Sequence, residues 1–180
     1  SVVIDQHSGA ITATQHLLAL GHHKFAEIAG PLNWFGARSR HQAIIDTLAQ
    51  RGLSLVASEV GNWSPESGYA CTKKLLADGK SFSAILVGND HMALGTLAAL
   101  HERGVRVPHD VSIVGFDNVA ESPYYIPALT TVEQPFDDLG ITAVNYLLAV
   151  IKDPELPPQQ SQIPTRLVTR ASVGNPDHNT

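Results

Sequence analysis

The stretch of sequence that decides the fold is SFSAILVGNDHMALG, at residues 81–95. Residues 84–87 form an apolar run that predicts a buried strand, and Gly88 ends it. Asn89 and Asp90 are both favoured at helix N-caps, and the apolar residues after them open a helix. Two polar side chains therefore lie at the carboxyl end of a buried strand, the edge where open parallel α/β sheets bind small ligands.

The same order of strand and helix recurs along the first two thirds of the chain. Strand-like runs begin near residues 25, 54, 83 and 111, with helical patterns between them. A spacing of about 28–30 residues is the length of one strand–helix unit in a parallel sheet. The sequence therefore predicts an α/β fold, a Rossmann-like parallel sheet with helices on both faces.

Local signals predict where two of the helices begin and end. Ser64 followed by Pro65 is an N-cap with proline at the first helical position, and Gly79 ends that helix. Another helix is predicted from about residue 36 to residue 51, with Ile45 among its inward-facing residues.

The pattern changes after Ser122. Residues 123–127 form a loop rich in proline and tyrosine, and residues 129–132 are extended. From residue 136 to residue 150, apolar side chains recur at helical spacing, and a final strand is predicted over residues 163–169. If these residues are the whole polypeptide, this lone helix has no sheet to cover, and we expect its apolar face to be exposed or covered by another chain.

Composition limits the possible classes of function. The chain has 180 residues, of which 43% are hydrophobic and 16% are charged, as in one compact domain. Its net charge of −5 and the absence of a Lys/Arg cluster argue against a DNA-binding surface in these residues. The single cysteine, Cys71, excludes an internal disulfide and fits a reducing compartment. No apolar run is long enough to span a membrane, so we expect a cytoplasmic protein without a membrane partner. The sequence begins at Ser1 without an initiator methionine, which is compatible with a fragment of a longer protein.

The sequence also lacks the motifs of enzymes and metal sites. There are nine histidines, but His22 and His23 are adjacent and point apart, and there is no HExxH motif or Cys/His quartet. No P-loop, G-x-S-x-G elbow or strand-linked G-x-G-x-x-G occurs. Two of the carboxylates Asp90, Asp117 and Glu121 could in principle act as an acid/base pair, but nothing supplies a nucleophile or a leaving-group partner. We therefore expect no metal, no cofactor and no catalysis.

Several longer segments together resemble one known family. They are HLLALGHHKFAEIAGP (residues 16–31), ARSRHQAI (37–44), ILVGNDHMALGTLAALHERGVRVPHDVSIVGFDN (85–118), YYIPALTTVEQPFDDLG (124–140) and LVTRAS (167–172). In this order they resemble the effector-binding core of the lactose/galactose repressor family of bacterial transcription regulators. GNWSPESG and the YIPALTTVEQ run indicate the lactose repressor branch. The likeness extends over nearly the whole chain, to about Gly174.

The resemblance implies a fold of two Rossmann-like lobes joined by three crossover strands, like the type I periplasmic binding proteins. It divides the chain into a crossover strand (1–8), the carboxyl-terminal effector-binding lobe (9–128), a crossover and a helix of the amino-terminal lobe (129–162), a final crossover strand (163–172) and a flexible tail (173–180). Most of the amino-terminal lobe and the DNA-binding head have no counterpart in these residues. Only one wall of the ligand crevice is therefore expected here.

The function implied by the resemblance is the effector-sensing and dimerisation core of a transcriptional repressor. In the family, a small molecule closes the two lobes and alters the spacing of the DNA-binding heads; here we expect it to be a sugar. The implied partners are this effector, a second copy of the chain, and operator DNA through a helix-turn-helix outside this chain. The sequence leaves open an alternative, a periplasmic or transporter-linked sugar-binding protein of the same fold.

Two of the implied effector contacts follow neighbouring strands. Asn89 is a capping residue by type, but the resemblance makes it a hydrogen-bond partner of effector hydroxyls, with Asp90 then expected to be the helix cap. Asp117 is a turn-forming residue by type, but the family matches it to a carboxylate that accepts sugar hydroxyls. One carboxylate holds a pair of hydroxyls well because it offers several lone pairs.

An arginine and a tryptophan are the next candidates. Arg38 and Arg40 are two residues apart, which is roughly 200° on a helix, so only one of them is expected to face the crevice. The resemblance selects Arg40, whose planar fork of donors can bridge two adjacent hydroxyls. Trp63 follows a strand end and is either a core residue or, as the resemblance implies, a platform that stacks on a sugar ring.

The remaining candidates come from the segments that connect the lobes. Gln134 and Phe136 match family contacts near the ligand. Asp5, at the end of the first crossover, and Trp34, in the loop before the second helix, are also expected at the crevice. Tyr125 is expected at the dimer interface, together with the helices that follow Ser64 and Asn89.

Overall fold

The computed structural model describes residues 1–176, which are built around a six-stranded sheet. The strands are β1 (Val2–Ile4), β2 (Phe25–Ala29), β3 (Leu55–Val60), β4 (Ala84–Val87), β5 (Ser112–Asp117), β6 (Thr130–Glu133), β7 (Ser161–Ile163) and β8 (Arg166–Val168). The main sheet has the order β3-β2-β4-β5-β6-β8, in which the first five strands are parallel and β8 runs antiparallel to β6. The predicted α/β fold with a parallel sheet is confirmed.

Helices cover both faces of this sheet. The α-helices of residues 1–176 are α1 (Gln6–Ala19), α2 (Phe35–Ala49), α3 (Pro65–Ala77), α4 (Asp90–Glu102) and α5 (Phe136–Lys152), and a 3₁₀ turn spans Ser122–Tyr124. One core cluster joins α1 and α2 to the sheet, and a second joins α3 and α4 to its other face. β2 lies between these layers, which is why all five of its residues are buried. None of these helices is long and apolar enough to cross a membrane.

Both predicted helices are present, but one residue predicted to face the core is exposed. Ser64 Oγ accepts a hydrogen bond from the Ser67 backbone N–H at 3.2 Å, and Pro65 is the first residue of α3, as predicted. In α2, however, Ile45 is exposed, whereas Ile44 is buried. The buried stripe of α2 consists of Ala37, Ala43, Ile44, Thr47 and Leu48, and Ile45 lies about 100° beyond Ile44, outside this stripe.

The prediction of one continuous strand over residues 163–169 is wrong. Ile163 ends β7, which pairs with β1 in a separate two-stranded parallel sheet. Arg166 begins β8, which pairs with β6 at the edge of the main sheet. Pro164 lies between the two strands, and because proline has no backbone N–H it cannot continue a ladder of hydrogen bonds. The chain therefore changes sheets at this point.

Part of the predicted flexible tail is fixed to the lobe. Val173 packs against the α1/α2 core, and Gly174 O accepts hydrogen bonds from His22 Nε2 (2.9 Å) and Ser112 Oγ (3.2 Å). The tail prediction is therefore wrong for Val173 and Gly174. Residues 177–180 of that prediction lie outside the described residues.

The last helix, α5, has no core of its own. None of its residues is buried, and its neighbour in the fold is β1. Six of its large apolar side chains are 49–65% exposed, namely Phe136, Ile141, Val144, Leu147, Leu148 and Ile151, whereas Leu139 and Val150 are half-buried. The expectation of an exposed apolar face is confirmed. An amphipathic helix gains most of its stability from packing that face, so α5 lacks its principal source of stabilisation here.

A hydrogen bond between a half-buried histidine of α2 and a buried carboxylate of β2 joins the helix to the sheet. The Oε2 atom of Glu27, a buried residue of β2, accepts hydrogen bonds from His41 Nδ1 at 2.6 Å and from Ser58 Oγ in β3 at 3.2 Å. The hydrogen bond to Glu27 raises the pKa of His41 above its ordinary value, although burial of the imidazole opposes this. Because His41 follows Arg40, the same pair holds the turn of α2 that carries Arg40.

This pair should make the stability of the lobe depend on pH. Because the folded-state pKa of His41 is raised, its stabilisation is fully present below the unfolded pKa of about 6.5 and is lost as pH rises through the folded pKa. Through this pair we expect the free energy of unfolding, measured with urea, to fall by about 1 kcal/mol between pH 6 and pH 9. Glu27→Gln should lower the free energy of unfolding at pH 6 and reduce its decrease between pH 6 and pH 9. Equal pH dependence in both proteins would show that the pair does not stabilise the fold.

Candidate functional site

The carboxyl ends of β4, β5 and β6 lie side by side at one edge of the main sheet. Gly88 follows β4, Asp117 ends β5, and Gln134 follows β6. The beginning of α1 and the second turn of α2 reach the same edge, because Gln6 and Arg40 contact these residues. Strands and helices far apart in sequence therefore place polar side chains together.

Arg40 is the most highly connected of these residues. Its Nε donates to Gln6 Oε1 at 2.8 Å, its Nη1 donates to the backbone oxygen of Gly88, and its Nη1 lies 3.9 Å from Asp117 Oδ1. The guanidinium carbon lies 3.9 Å from the centre of the Phe116 ring. Burial lowers the pKa of Arg40 to about 10, with nearby carboxylates opposing the shift. The side chain therefore remains charged at neutral pH.

Asp117 and Gln134 continue the hydrogen bonds outward from Arg40. Gln134 Nε2 donates to Asp117 Oδ1 at 2.6 Å, and Gln6 Nε2 donates to Gln134 Oε1 at 2.5 Å. Burial raises the pKa of Asp117 above its ordinary value, opposed by the charge of Arg40 and by the Gln134 hydrogen bond. These four side chains, Gln6, Arg40, Asp117 and Gln134, are called the polar row below.

Two residues of the polar row, Asp117 and Gln134, line an open cleft of about 470 Å³. Phe136, the first residue of α5, is an apolar residue in its lining and is more than half exposed. The other residues that line this cleft include Asp117, Asn118, Glu133, Gln134, Asp137 and Asp138. The structure therefore brings four of the predicted effector residues, Arg40, Asp117, Gln134 and Phe136, to one open edge.

Trp63 packs inward beside the polar row. Its backbone has a φ of 75°, and its six-membered ring occupies the space that a Cβ on Gly30 would need. The Arg40 guanidinium lies 5.4 Å from the ring centre. The indole Nε1 is buried and has no hydrogen-bond partner among the described residues, a situation that costs about 1–3 kcal/mol. Trp63 is thus packed like a core residue but lies beside the polar row, so it has features of both interpretations, core residue and stacking platform.

Asn89 is the N-cap of α4, and the prediction that Asp90 takes this role is wrong. Asn89 Oδ1 accepts from the Met92 backbone N–H at 2.9 Å, and Asn89 Nδ2 donates to Trp63 O at 3.2 Å. Asp90 is fully buried and accepts from Thr131 Oγ1 at 2.6 Å; burial raises the pKa of Asp90 to about 6. The cap must have extended backbone, which Asn89 has, so the next residue is already helical.

The two arginines of α2 point in different directions, as expected. Arg38 Nη1 donates to Leu32 O at 3.1 Å and to Asn33 O at 2.9 Å, so Arg38 braces the loop before α2. Arg40 instead turns into the polar row. The predicted divergence of the two side chains is therefore observed, whereas the role of Arg40 as an effector contact stays a prediction.

At the start of α1, the residue that reaches the polar row is Gln6. Asp5 Oδ1 accepts from the Ser8 backbone N–H at 2.9 Å, so Asp5 is the N-cap of α1. Sequence reasoning missed Gln6. Its one available signal was its position directly after Asp5, at the end of an extended segment that leads to this edge.

The other two candidates differ in location. Trp34 is 60% exposed, and its ring packs edge-to-face against Trp63 with ring centres 6.1 Å apart. Tyr125 lies elsewhere, half-buried against the α3/α4 core in a surface that includes α4.

Backbone strain is concentrated at the same edge of the sheet. Within residues 1–176, the non-glycine residues with positive φ are Trp63 (75°), Asp117 (116°) and Asn118 (56°). Such conformations cost free energy and persist where the surrounding structure determines them, which is typical of ligand-binding sites. In the same part of the chain, no group of three or more His, Cys, Asp and Glu side chains is placed to hold a metal ion.

Comparison with known proteins gives relatives for nearly the whole chain. Residues 14–173 match the family described as the periplasmic binding protein-like domain. The chain is 37% identical over 180 residues to the lactose operon repressor of Escherichia coli strain K12. This alignment covers 100% of this chain and 50% of that protein. It is 40% identical over 178 residues to the HTH-type transcriptional repressor PurR of Haemophilus influenzae. This second alignment covers 95% of this chain and 53% of that protein. The chain spans about half the length of these curated relatives.

A solved structure extends this similarity to the fold. The lac repressor dimer bound to operator and the anti-inducer ONPF matches with a TM-score of 0.92 at 37% identity, over 97% of this chain and 60% of that chain. Sequence and fold therefore agree along nearly the whole chain.

The packing of Trp63 on Gly30 can be tested by adding one methyl group. In Gly30→Ala the new Cβ overlaps the indole ring, so we expect Trp63 to move and the lobe to lose about 1–3 kcal/mol of stability. Urea unfolding and tryptophan emission measure the two effects. Gly140→Ala in α5, where nothing lies within 4 Å of a new Cβ, is the matched control and should not destabilise. Equal effects of the two substitutions would contradict the packing described for Trp63.

Proposed function

The chain belongs to the family of periplasmic binding protein-like domains, in the branch of the lactose/galactose repressors, and we propose that it is the effector-sensing core of a transcriptional repressor. The observation that carries this proposal is the polar row. It places one charged donor, one carboxylate and two amides at the carboxyl edge of a parallel sheet, beside an open cleft.

The chemistry of the polar row suits a polyhydroxylated effector, a sugar. Hydroxyl groups both donate and accept, and the row offers an acceptor at Asp117 beside donors at Arg40 and Gln134. Asn89 supplies a further amide beside Trp63. Apolar surface at Trp63 and Phe136 suits the non-polar faces of a sugar ring. We also include Asp5 and Trp34 among the proposed effector-binding residues, at the edge of the site.

The proposed mechanism is closure of two lobes on the effector. We assign residues 9–128 to one lobe, and residues 1–8, 129–162 and 163–172 to the crossovers and the start of the other lobe. The exposed apolar face of α5 supports this division, because it is the face that a second lobe would cover. An effector shifts the equilibrium between lobe arrangements only through its different affinities for them.

The partners proposed for the full-length protein are the effector, a second copy and operator DNA. The net charge of −5, without a basic cluster, argues against DNA contact through these residues, so we propose that a helix-turn-helix outside them makes it. We propose a cytoplasmic regulator without catalytic activity. The curated relatives are repressors, which favours this function over a periplasmic or transporter-linked sugar-binding protein.

A surface on the α4 side supports the proposed dimer. It is an apolar groove of about 460 Å³ lined by Leu94, Leu97, Ala98, His101, Tyr124, Tyr125 and Ile126. Tyr124 and Ile126 are 83% and 92% exposed, whereas Tyr125 between them is half-buried. Large apolar side chains with such high exposure are typical of a protein–protein interface. A two-fold axis would pack the groove of one copy against the groove of the other. Tyr125 would then support the interface from below.

The effector site is tested by removing its charged groups. In the full-length protein, Asp117→Ala should weaken effector binding about 100-fold or more while the protein remains folded, because the hydroxyls lose their carboxylate acceptor. Arg40→Ala should have a similar effect. Isothermal titration calorimetry with a panel of sugars and purines measures the affinity, and circular dichroism measures folding.

Arg38→Ala is the matched control for Arg40→Ala. Arg38 braces the loop before α2 instead of entering the polar row, so its loss should reduce affinity less. Unchanged affinity in Asp117→Ala, or an equal loss in the two arginine variants, would refute the site assignment.

The dimer surface is tested by placing a charge in the groove. Ile126→Glu should raise the dimer dissociation constant of the full-length protein by about tenfold or more, because two copies of the carboxylate would be desolvated across the two-fold axis. Sedimentation velocity at several concentrations measures this constant. Ile45→Glu, the same substitution at an exposed position of α2 outside the groove, should leave dimerisation intact. If Ile126→Glu dimerises as the unsubstituted protein does, the interface lies elsewhere.

A further inference from the structure

The carboxylate of the proposed effector site is carried by a strained backbone. Asp117 has a φ of 116°, and the next residue, Asn118, has a φ of 56°. A residue with a side chain adopts such a conformation only at a cost in free energy, so contacts with the rest of the lobe must hold it there. The direction of the Asp117 carboxylate therefore depends on what fixes Asn118 and the loop that follows it.

Asn118 is fixed through both its backbone and its side chain. Its N–H donates to Thr131 Oγ1 at 3.4 Å, and its Nδ2 donates to Glu133 Oε2 at 3.3 Å. Its Oδ1 accepts a hydrogen bond from Arg170 Nη2 at 2.7 Å. This contact is the shortest of the three, and a charged donor makes a stronger hydrogen bond than a neutral one. Arg170 thus provides the firmest hold on the residue next to Asp117.

Arg170 binds the loop between β5 and β6 at two further points. Its Nη1 donates to Ser122 Oγ at 3.0 Å and to Leu129 O at 2.6 Å. Ser122 is fully buried, and its hydroxyl donates in turn to Val119 O at 2.8 Å. One guanidinium therefore ties together the beginning, the middle and the end of the loop formed by residues 118–129.

The backbone that carries Arg170 is itself anchored to the sheet. The Arg170 N–H donates to Thr130 Oγ1 at 2.8 Å. Two residues later, Ser172 O accepts from the Ile113 N–H of β5 at 2.8 Å. The guanidinium is therefore presented from a fixed position, and this lowers the entropy cost of holding the loop.

The three contacts of the Arg170 side chain suit an arginine better than a lysine. The acceptors are an amide oxygen, a hydroxyl and a backbone carbonyl, which belong to three separate residues. A guanidinium offers five N–H donors in a planar fork, whereas the lysine ammonium is a single compact group on a flexible chain. A lysine at this position would keep the charge but lose the two separate donor nitrogens.

We infer that Arg170 is a positioning residue of the effector site, which acts through Asn118 to hold the Asp117 carboxylate in its binding orientation. The inference rests on the proposed effector role of the polar row. Arg170 does not line the cleft beside that row, whereas Asp117 and Asn118 do. The loss of Arg170 should therefore weaken binding by changing the shape of the site, without removing a contact to the ligand.

Calorimetry on the full-length protein measures this effect, with glucose, galactose, lactose and cellobiose as probes. For each sugar that binds, Arg170→Ala should weaken the affinity about tenfold. Arg170→Lys should weaken it nearly as much, because it keeps the charge without the fork. Arg106→Ala is the matched control, since Arg106 binds Asp110 through Nε at 2.9 Å and Nη2 at 2.6 Å in another loop. Its loss should leave the affinity unchanged.

A second comparison tests whether Arg170 acts through Asn118. Asn118→Gly removes the amide that Arg170 binds, and glycine adopts positive φ without strain. In this background Arg170→Ala should weaken sugar binding by about twofold or less, instead of about tenfold. A general loss of stability would not produce this dependence of one substitution on the other.

Hydrogen exchange measured by mass spectrometry gives a readout that needs no ligand. In the full-length protein without sugar, Arg170→Ala should speed amide exchange in residues 118–129, because this loop loses three hydrogen bonds. Arg106→Ala should not change exchange in this loop. Unchanged exchange in Arg170→Ala would show that the loop is held without the guanidinium, and would overturn the inference.

The outcomes separate this inference from the proposed function. Unchanged affinity in Arg170→Ala, full affinity in Arg170→Lys, or an equal loss with and without Asn118 overturns the positioning role but leaves the effector site standing. No binding of any of the four sugars by the unsubstituted protein counts against the effector site and this inference together. If Arg170→Ala does not fold, Arg170→Lys replaces it in the binding and exchange measurements, with the same expected directions.

Discussion

A guanidinium largely removed from water at the carboxyl edge of the sheet is the constraint on which the site depends. The Arg40 side chain is only 12% exposed, and a buried charge is tolerated only when it is paired and hydrogen-bonded. Its partners come from α1, from the turn after β4 and from the end of β5, and Gln134 after β6 completes the row. The site therefore forms only when all these elements are in place, and it reports on their arrangement.

The sheet and its helices make this convergence possible. Parallel strands all end at one edge, and right-handed connections return each helix to cover a face, so the polar residues that follow β4, β5 and β6 become neighbours. The Glu27–His41 pair holds α2 against the sheet one residue from Arg40. Strain at Trp63 and Asp117 is stored at this same edge, where the surrounding packing can hold it.

Apolar surface is left open in two other places, on α5 and in the groove beside Tyr124 and Ile126. The side chains of α5 lie outside both core clusters, whereas the groove adjoins the α3/α4 core through Leu97 and Tyr125. The groove shares no lining residue with the cleft beside the polar row, but α5 reaches that cleft at Phe136.

The sequence by itself determined the class of fold, the main helices and strands, and the edge of the sheet at which Asn89 and Asp117 lie. These follow from local signals: apolar runs, caps and a repeat of about 28–30 residues. It also determined that Arg38 and Arg40 diverge, because helical geometry is local. Which residue caps α4, where the last strand breaks, and how far the tail is fixed depended on contacts with distant residues.

Only the tertiary structure decided which residues form the polar row and how far each of the two tryptophan rings is buried. Gln6 joins the row because α1 begins beside Arg40 and Gln134, which lie 34 and 128 residues away in sequence. Trp63 is turned inward because Gly30, on another strand end, leaves room for its ring, and Trp34 stays open because nothing similar covers it. Such contacts are set by packing between distant segments, and no local pattern in the sequence encodes them.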